Sequence, residues 1–188
     1  MSQQELLKRA VGALERAGVD YMLTGSLVSS LQGNPRATHD IDLVVSMAEM
    51  HTSLLVEEFP PPRYYLDELS MRRAIAHRDM FKLLDADTGN KVDFWLLTDD
   101  EFDRTRFGRK AVESLDGTPI KVSTPEDTIL MKLRWSQQSG GSEKQFQDAR
   151  GVYELQSRNL DQAYLELWSE RIGVLEDFQR LRREAKPL

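Results

Sequence analysis

Cysteine is absent from this 188-residue chain. That excludes disulfides, thiolate-bound zinc and thiol nucleophiles, and it suits a reducing compartment. Long apolar runs are missing too. No segment offers the roughly 20 consecutive apolar residues that a membrane-spanning helix needs, so no membrane partner is expected. A basic surplus is also lacking. The 25 Lys and Arg residues stand against 31 Asp and Glu, for a formal net charge of −6. A protein that binds nucleic acid over its whole surface needs the opposite balance. Only a local basic groove is compatible with these numbers. The opening residues Met1-Ser2-Gln3-Gln4-Glu5 are polar and acidic, unlike a secretory signal. A cytoplasmic location is the expectation.

What is present is ordinary for a globular protein: 40% hydrophobic and 30% charged residues. Ser2 and Glu5 have capping-box spacing, followed by apolar residues at helical intervals up to Gly18. Val19 to Leu23 reads as a strand. A short helix around Leu27, Val28 and Leu31 closes at Gly33, and Asn34-Pro35 forces a turn. Asp40 to Val45 is a second strand. Ser46 and Glu49 suggest another capping box, opening a helix that Pro60-Pro61-Pro62 ends. Residues 66–76 look helical. Met80 to Leu84 and Lys91 to Leu97 read as strands joined around Asp87-Thr88-Gly89-Asn90. A helix start follows at Thr98-Asp99-Asp100-Glu101, and two more strands flank Asp116-Gly117. From Thr124-Pro125-Glu126-Asp127 onward every periodic segment is helical. The expectation is an α/β (α+β) fold. A mixed β-sheet flanked by helices spans residues 1–122, and a helical region, 123–188, packs against it because no linker separates them.

The chemistry-bearing pattern is Gly25-Ser26 followed by Asp40-Ile41-Asp42. Side chains two apart on a strand share a face, so the Asp40 and Asp42 carboxylates converge. Adjacent carboxylates repel unless a proton or cation lies between them, and Mg²⁺ or Mn²⁺ favours oxygen ligands. A third acid, Asp93, sits inside the apolar strand Lys91-Val92-Asp93-Phe94-Trp95-Leu96-Leu97. Asp is disfavoured in strands and costly to bury. If the two strands are neighbours, three carboxylates meet: metal ligands, one of them also able to take a proton from an attacking hydroxyl. Gly25-Ser26 lies between a strand and a short helix. Its backbone can approach a phosphate closely, and the helix N-terminus and the Ser26 hydroxyl supply donors. Arg36 can neutralise that phosphate further.

The Gly-Ser, spacer, Asp-Ile-Asp pattern resembles the signature of the polymerase-β-like nucleotidyltransferase superfamily. The stretch GSLVSSLQGNPRATHDIDLVV is similar to the branch of AbiEii-type toxin nucleotidyltransferases and related bacterial proteins. TPEDTILMKL and KQFQDARGVYEL resemble that branch's helical half. The resemblance covers residues 19–157. It implies metal ligation by Asp40 and Asp42, with Asp93 as third carboxylate. It implies nucleotide contacts from Gly25, Ser26, Arg36, Thr38 and Lys132, with Asp148 as the last acid of the helical motif. Gln145 stands where the branch often has an acid. The implied activity moves a nucleoside monophosphate from an NTP to a hydroxyl, with Mg²⁺ or Mn²⁺ as cofactor. The acceptor is left open among an RNA 3′ end such as that of tRNA, a protein hydroxyl and a small molecule. A toxin role with an antitoxin partner is implied by the branch.

Blander readings compete at several positions. Ser26 also fits a plain helix cap, and Asp93 a charge that guards a sheet edge. Arg36 also fits a solvated loop, and Lys132 a solvated face of an amphipathic helix. Asp148 fits a surface acid paired with Lys144 or Arg150. The basic groups Arg72, Arg73, Arg78, Lys82 and Arg104, Arg106, Arg109, Lys110 fit either an anionic acceptor or ordinary solvated faces. Two other functions use the same residues: a module that binds nucleotide or a partner without turnover, and a metal-dependent phosphohydrolase.

Overall fold

The computed structural model describes residues 2–186. Met1, Pro187 and Leu188, at the outer ends of the two expected regions, lie outside the described residues. The chain divides into two compact units. One contains the described residues up to Thr24 and the segment Thr38–Val122. The other contains Gly25–Ala37 and the described residues from Ser123 onward. The short stretch around Gly25-Ser26 thus groups with the C-terminal helices rather than with the strands on either side of it.

The first unit is built on a sheet that has seven strands among the described residues. In chain order they are β1 (Asp20–Thr24), β2 (Asp40–Ser46), β3 (Tyr64–Leu66), β4 (Met80–Asp85), β5 (Lys91–Leu96), β6 (Ala111–Leu115) and β7 (Thr118–Val122). Their order across the sheet is β3-β4-β5-β2-β1-β7-β6. β2 runs parallel to β5 and β1 parallel to β7, while the remaining neighbours are antiparallel. The mixed sheet is accompanied by α1 (Gln3–Arg16), α3 (Thr52–Glu58), α4 (Glu68–His77) and α5 (Glu101–Arg109). The anticipated capping box opens α1. Glu5 N–H donates to Ser2 Oγ at 3.2 Å, and Ser2 N–H donates to Glu5 Oε2 at 2.6 Å. Leu6, Leu7, Ala10, Val11 and Leu14 then form its buried stripe.

Alternation along β5 separates two faces. Val92, Phe94 and Leu96 are buried on one, whereas Asp93 and Trp95 lie on the other. Phe81 of β4 stacks on Phe94 with ring centroids 4.8 Å apart, on the buried face. On the opposite face, Met22, Val44 and Phe107 of α5 form an apolar cluster joined by Leu97. That cluster covers the end of the face beyond Asp42 and Asp93.

Two local expectations need correction. Ser46 does not start a helix: β2 runs through it, and Met47 just beyond is buried. A single 3₁₀ turn, Glu49–His51, leads into α3, and Ala48 N–H donates to His51 Nδ1 at 3.0 Å. Tyr64–Leu66 forms an edge strand that the sequence reading leaves out. Its Tyr64 ring is buried edge-on against Phe59, centroids 5.2 Å apart, and Arg9 stacks over it. Tertiary packing, rather than strand periodicity, fixes so short an element.

The second unit is helical: α2 (Gly25–Gln32), α6 (Pro125–Gln138), α7 (Glu143–Gln156), α8 (Gln162–Arg171) and α9 (Leu175–Glu184). Thr124 caps α6, accepting from Asp127 N–H, with Pro125 in the first turn. Asp127 also accepts from the Tyr164 hydroxyl at 2.6 Å, tying α8 to the start of α6. The end of α2 lies directly on the α7 backbone. A Cβ on Gly33 would stand 2.6 Å from Val152 N and 2.8 Å from the Gly151 carbonyl carbon, and one on Gly151 would stand 2.9 Å from Asn34 Nδ2. Backbone cannot yield as a flexible side chain can, so this approach requires glycine. No helix among the described residues is long and apolar enough to cross a membrane.

Gly33→Ala should destabilise the protein by about 1–3 kcal/mol through overpacking. Urea unfolding measures this. An unchanged midpoint would show that the helices part at no cost.

Candidate active site

The carboxylates of β2 and β5 are set by strand register. Asp42 is paired with Asp93 across the parallel β2–β5 ladder. Thr24 of β1 is paired with Asp42, and Lys82 of β4 with Asp93. Paired residues on neighbouring strands present their side chains to the same face. Lys82, Asp93, Asp42 and Thr24 therefore form one row across four strands. Asp40 lies two residues before Asp42 on that face, paired in register with Lys91. Trp95 Nε1–H donates to Asp42 Oδ1 at 3.3 Å.

This face carries the three acids singled out in the sequence. It also carries two lysines. Lys91 Nζ stands 2.9 Å from Asp40 Oδ1, and Lys82 Nζ 3.5 Å from Asp93 Oδ2. The contact with Asp40 holds Lys91 above its ordinary pKa. Asp93 is mostly buried, its side chain 13% exposed, and its Oδ1 has no hydrogen-bond partner. Among the described residues no three or more His, Cys, Asp or Glu side chains are drawn together into a metal-holding group. The acids share a face, but two of them are turned to lysines. Thr38 is half-buried in the loop just before β2.

The other site residues are in the helical unit. Gly25 opens α2 with φ 75°, a left-handed conformation that favours glycine. Ser26 follows in the first turn. Its Oγ accepts from Arg36 Nη2 at 2.6 Å and from Lys132 Nζ at 3.2 Å. With both donors pointing in, the hydroxyl proton is directed elsewhere and is available to a ligand oxygen. Arg36 grips Asp148 in a bidentate pair, Nε to Oδ1 and Nη2 to Oδ2, both at 2.8 Å. Lys132 Nζ donates to Asp148 Oδ2 at 2.8 Å and to Gln145 Oε1 at 2.9 Å, and it lies over the Trp135 ring at 5.6 Å.

Three of the bland readings fail here. Lys132 is not a solvated helix lysine: it is 1% exposed. Asp148 pairs with Arg36 and Lys132, while Arg150 turns to Glu154 and Glu184. Arg36 does not solvate a loop. Gln145, which stands where the resembled branch often has an acid, is a neutral acceptor for Lys132. Two cations thus meet at one carboxylate beside a helix N-terminus, a setting suited to an anion. Burial works to raise the Asp148 pKa, but the bonds from Arg36 and Lys132 outweigh it and hold the carboxyl below its ordinary value. The same pair raises Arg36. Among the anticipated basic faces, Arg106 is buried and bonded to Asp103 at 2.8 Å, so it offers nothing to an acceptor.

Sequence reasoning places Trp95 on the face of Asp93 by period-two alternation, but it does not connect Lys91 and Lys82 to the acids. A signal existed for Lys91, which lies two residues before Asp93 on the same strand. Lys82 needed the β4–β5 register.

No family model matches the chain, and no curated protein does. Solved structures do match. An antigenic nucleotidyltransferase-like protein from Paracoccidioides brasiliensis superposes with a TM-score of 0.57 at 16% identity, covering 99% of this chain and 94% of that one. ANT(2″)-Ia in complex with adenylyl-2″-tobramycin gives 0.55 at 14% identity, covering 97% and 99%. The lincomycin-bound lincosamide antibiotic adenylyltransferase LnuA gives 0.55 at 13% identity, covering 82% and 98%. The chain shares its fold with these nucleotidyltransferase structures. The likeness is to that fold in general and indicates no particular branch of it.

Asp148 yields a pH-dependent prediction. A carboxyl whose folded pKa is depressed contributes stability above its unfolded value, near 3.9, and loses it as pH falls through the folded value. Asp148→Asn should cost about 3 kcal/mol at neutral pH, because Lys132 is left buried without its counter-charge. Urea midpoints of parent and variant should converge as the pH drops below about 4. Parallel curves down to pH 2 would contradict this.

Proposed function

We propose that the protein is a metal-dependent nucleotidyltransferase that moves a nucleoside monophosphate from an NTP to a hydroxyl acceptor. The observation that carries the reading is the in-register pair Asp42–Asp93, with Asp40 on the same face, in a chain of nucleotidyltransferase fold. The donors suit Mg²⁺ or Mn²⁺ by type: all are carboxylate oxygens on one face, and they include the buried Asp93 Oδ1 that has no hydrogen bond. Asp40 and Asp42 would hold the metal, with Asp93 as the third carboxylate. Bound there, the ion would supply positive charge to the triphosphate and to the phosphorus under attack.

The chain's own residues take the remaining work. Asp93 orients the acceptor hydroxyl and accepts its proton as the oxygen attacks the α-phosphorus and pyrophosphate leaves. Ser26, Arg36 and Lys132 stabilise phosphate charge, with Gly25 allowing close approach of the backbone. Asp148 does not touch substrate in this scheme. It keeps two cations folded side by side near one hydroxyl, where mutual repulsion would otherwise separate them.

The acceptor belongs to one of three classes: an RNA 3′ end, a protein hydroxyl or a small molecule. Two matched structures have names or bound groups of the small-molecule type, adenylyl-2″-tobramycin and lincomycin. The branch resemblance supports instead a toxin with an antitoxin partner. Incubation with each α-labelled NTP, Mg²⁺ or Mn²⁺ and total cell extract separates these, by sorting the label into RNA, protein and small molecules.

Asp42→Ala should lower transfer at least 100-fold, the loss typical of removing an essential charge-stabilising group, about 10²–10³ in rate. Thermal stability should hold or rise, because one member of a like-charge group is gone. A variant as active as its parent excludes this mechanism. Nucleotide binding in the parent without any label transfer would instead indicate a non-catalytic module.

A further inference from the structure

The two lysines on the carboxylate face are not explained by the roles assigned so far. Lys91 is paired in register with Asp40, and Lys82 with Asp93. Their side chains are 42% and 56% exposed, so neither is held there by burial. Each has a flexible stem that could carry its ammonium out into water. Both instead come to the carboxylates, Nζ to Oδ1 of Asp40 at 2.9 Å and Nζ to Oδ2 of Asp93 at 3.5 Å. Lys91 makes a close ion pair with Asp40 Oδ1, and Lys82 donates a long hydrogen bond to Asp93 Oδ2, while Asp93 Oδ1 is left with no hydrogen bond. A divalent ion at Asp40 Oδ1 meets the Lys91 ammonium on that same oxygen. At Asp93 the ion can take Oδ1, which has no hydrogen bond, so Lys82 on Oδ2 opposes it through charge.

We propose that Lys91 and Lys82 are built-in counter-cations of the carboxylate face, positioning residues that offset the charge of the acids without metal and that compete with a divalent ion for them. The inference rests on the metal-dependent reading above and adds to it a competition within the chain. The lysines lower the intrinsic affinity for metal. They also leave the face near neutrality when no ion is bound, so the unliganded sheet does not carry three unbalanced charges. When a metal arrives with a nucleotide, the phosphates bring negative charge to which the ammonium groups can turn.

The test is direct Mn²⁺ binding, read from the electron paramagnetic resonance signal of the free ion, with no nucleotide and no turnover. Lys91→Met and Lys82→Met keep the apolar stem and remove the charge. Each should bind Mn²⁺ about fivefold more tightly than the parent, the factor that corresponds to an exposed ion pair of roughly 1 kcal/mol. Lys91→Arg and Lys82→Arg should restore affinity to the parent value, which a purely structural role for the stem does not predict. Urea unfolding confirms that all four variants are folded. Unchanged or weaker Mn²⁺ binding in both methionine variants overturns the counter-cation role while leaving the metal site in place. A parent protein that binds no Mn²⁺ at this face, with Asp42→Asn indistinguishable from it, overturns both this inference and the reading it rests on.

Discussion

The parallel register of β2 on β5 is the constraint from which the rest follows. It places Asp42 opposite Asp93, two like charges that no favourable local interaction would bring together. Either strand by itself is an apolar element with an interrupting acid. Paired, their buried faces supply the energy: Ile41, Leu43, Val45, Val92, Phe94 and Leu96 are almost wholly removed from water. At roughly 1.5–3 kcal/mol for each large apolar side chain, that burial exceeds what a partly solvated carboxylate pair loses to repulsion. A slip of one residue would turn those side chains outward. The core thus enforces the arrangement of acids, and the acids contribute nothing to holding it.

The helical unit resolves the opposite problem. There a lysine with 1% exposure and an arginine lie close together, and a single buried carboxylate, Asp148, holds both. The Gly33–Gly151 approach makes this possible, because Asp148 stands one helical turn before Gly151 on α7. A bulkier side chain at either glycine would lift α2 and the loop carrying Arg36 away from it. Packing between backbones, several residues distant, therefore controls an electrostatic detail at Ser26.

How much of this was legible in the sequence depended on the range of the interaction. Period-two alternation put Asp40 with Asp42, and Asp93 with Trp95, on single faces, and the structure keeps both. Caps at Ser2 and Thr124 are local, and they also hold. The Ser46 cap failed because the sheet extends strand β2 past it, and Tyr64–Leu66 escaped notice because three residues show no period. Lys132 and Asp148 could be placed on helices but not paired. Their partners are 106 and 112 residues away, and only the assembled helices bring Ser26 to Lys132 and Arg36 to Asp148. The composition suggested solvated charges there, as it usually would; burial with full satisfaction is what the fold added.

The two groups differ in the sign of the charge they gather. The sheet face collects three carboxylates with two lysines, and a buried Asp93 oxygen there has no hydrogen bond. The helical cluster collects two cations on one carboxylate, beside a hydroxyl that already accepts twice. Partly desolvated charge is costly to gather, so a fold that does so sets it against opposite charge at short range. On the sheet face the in-register lysines do this, and in the helical cluster Asp148 does. Such groupings of perturbed charge are commoner at functional sites than elsewhere.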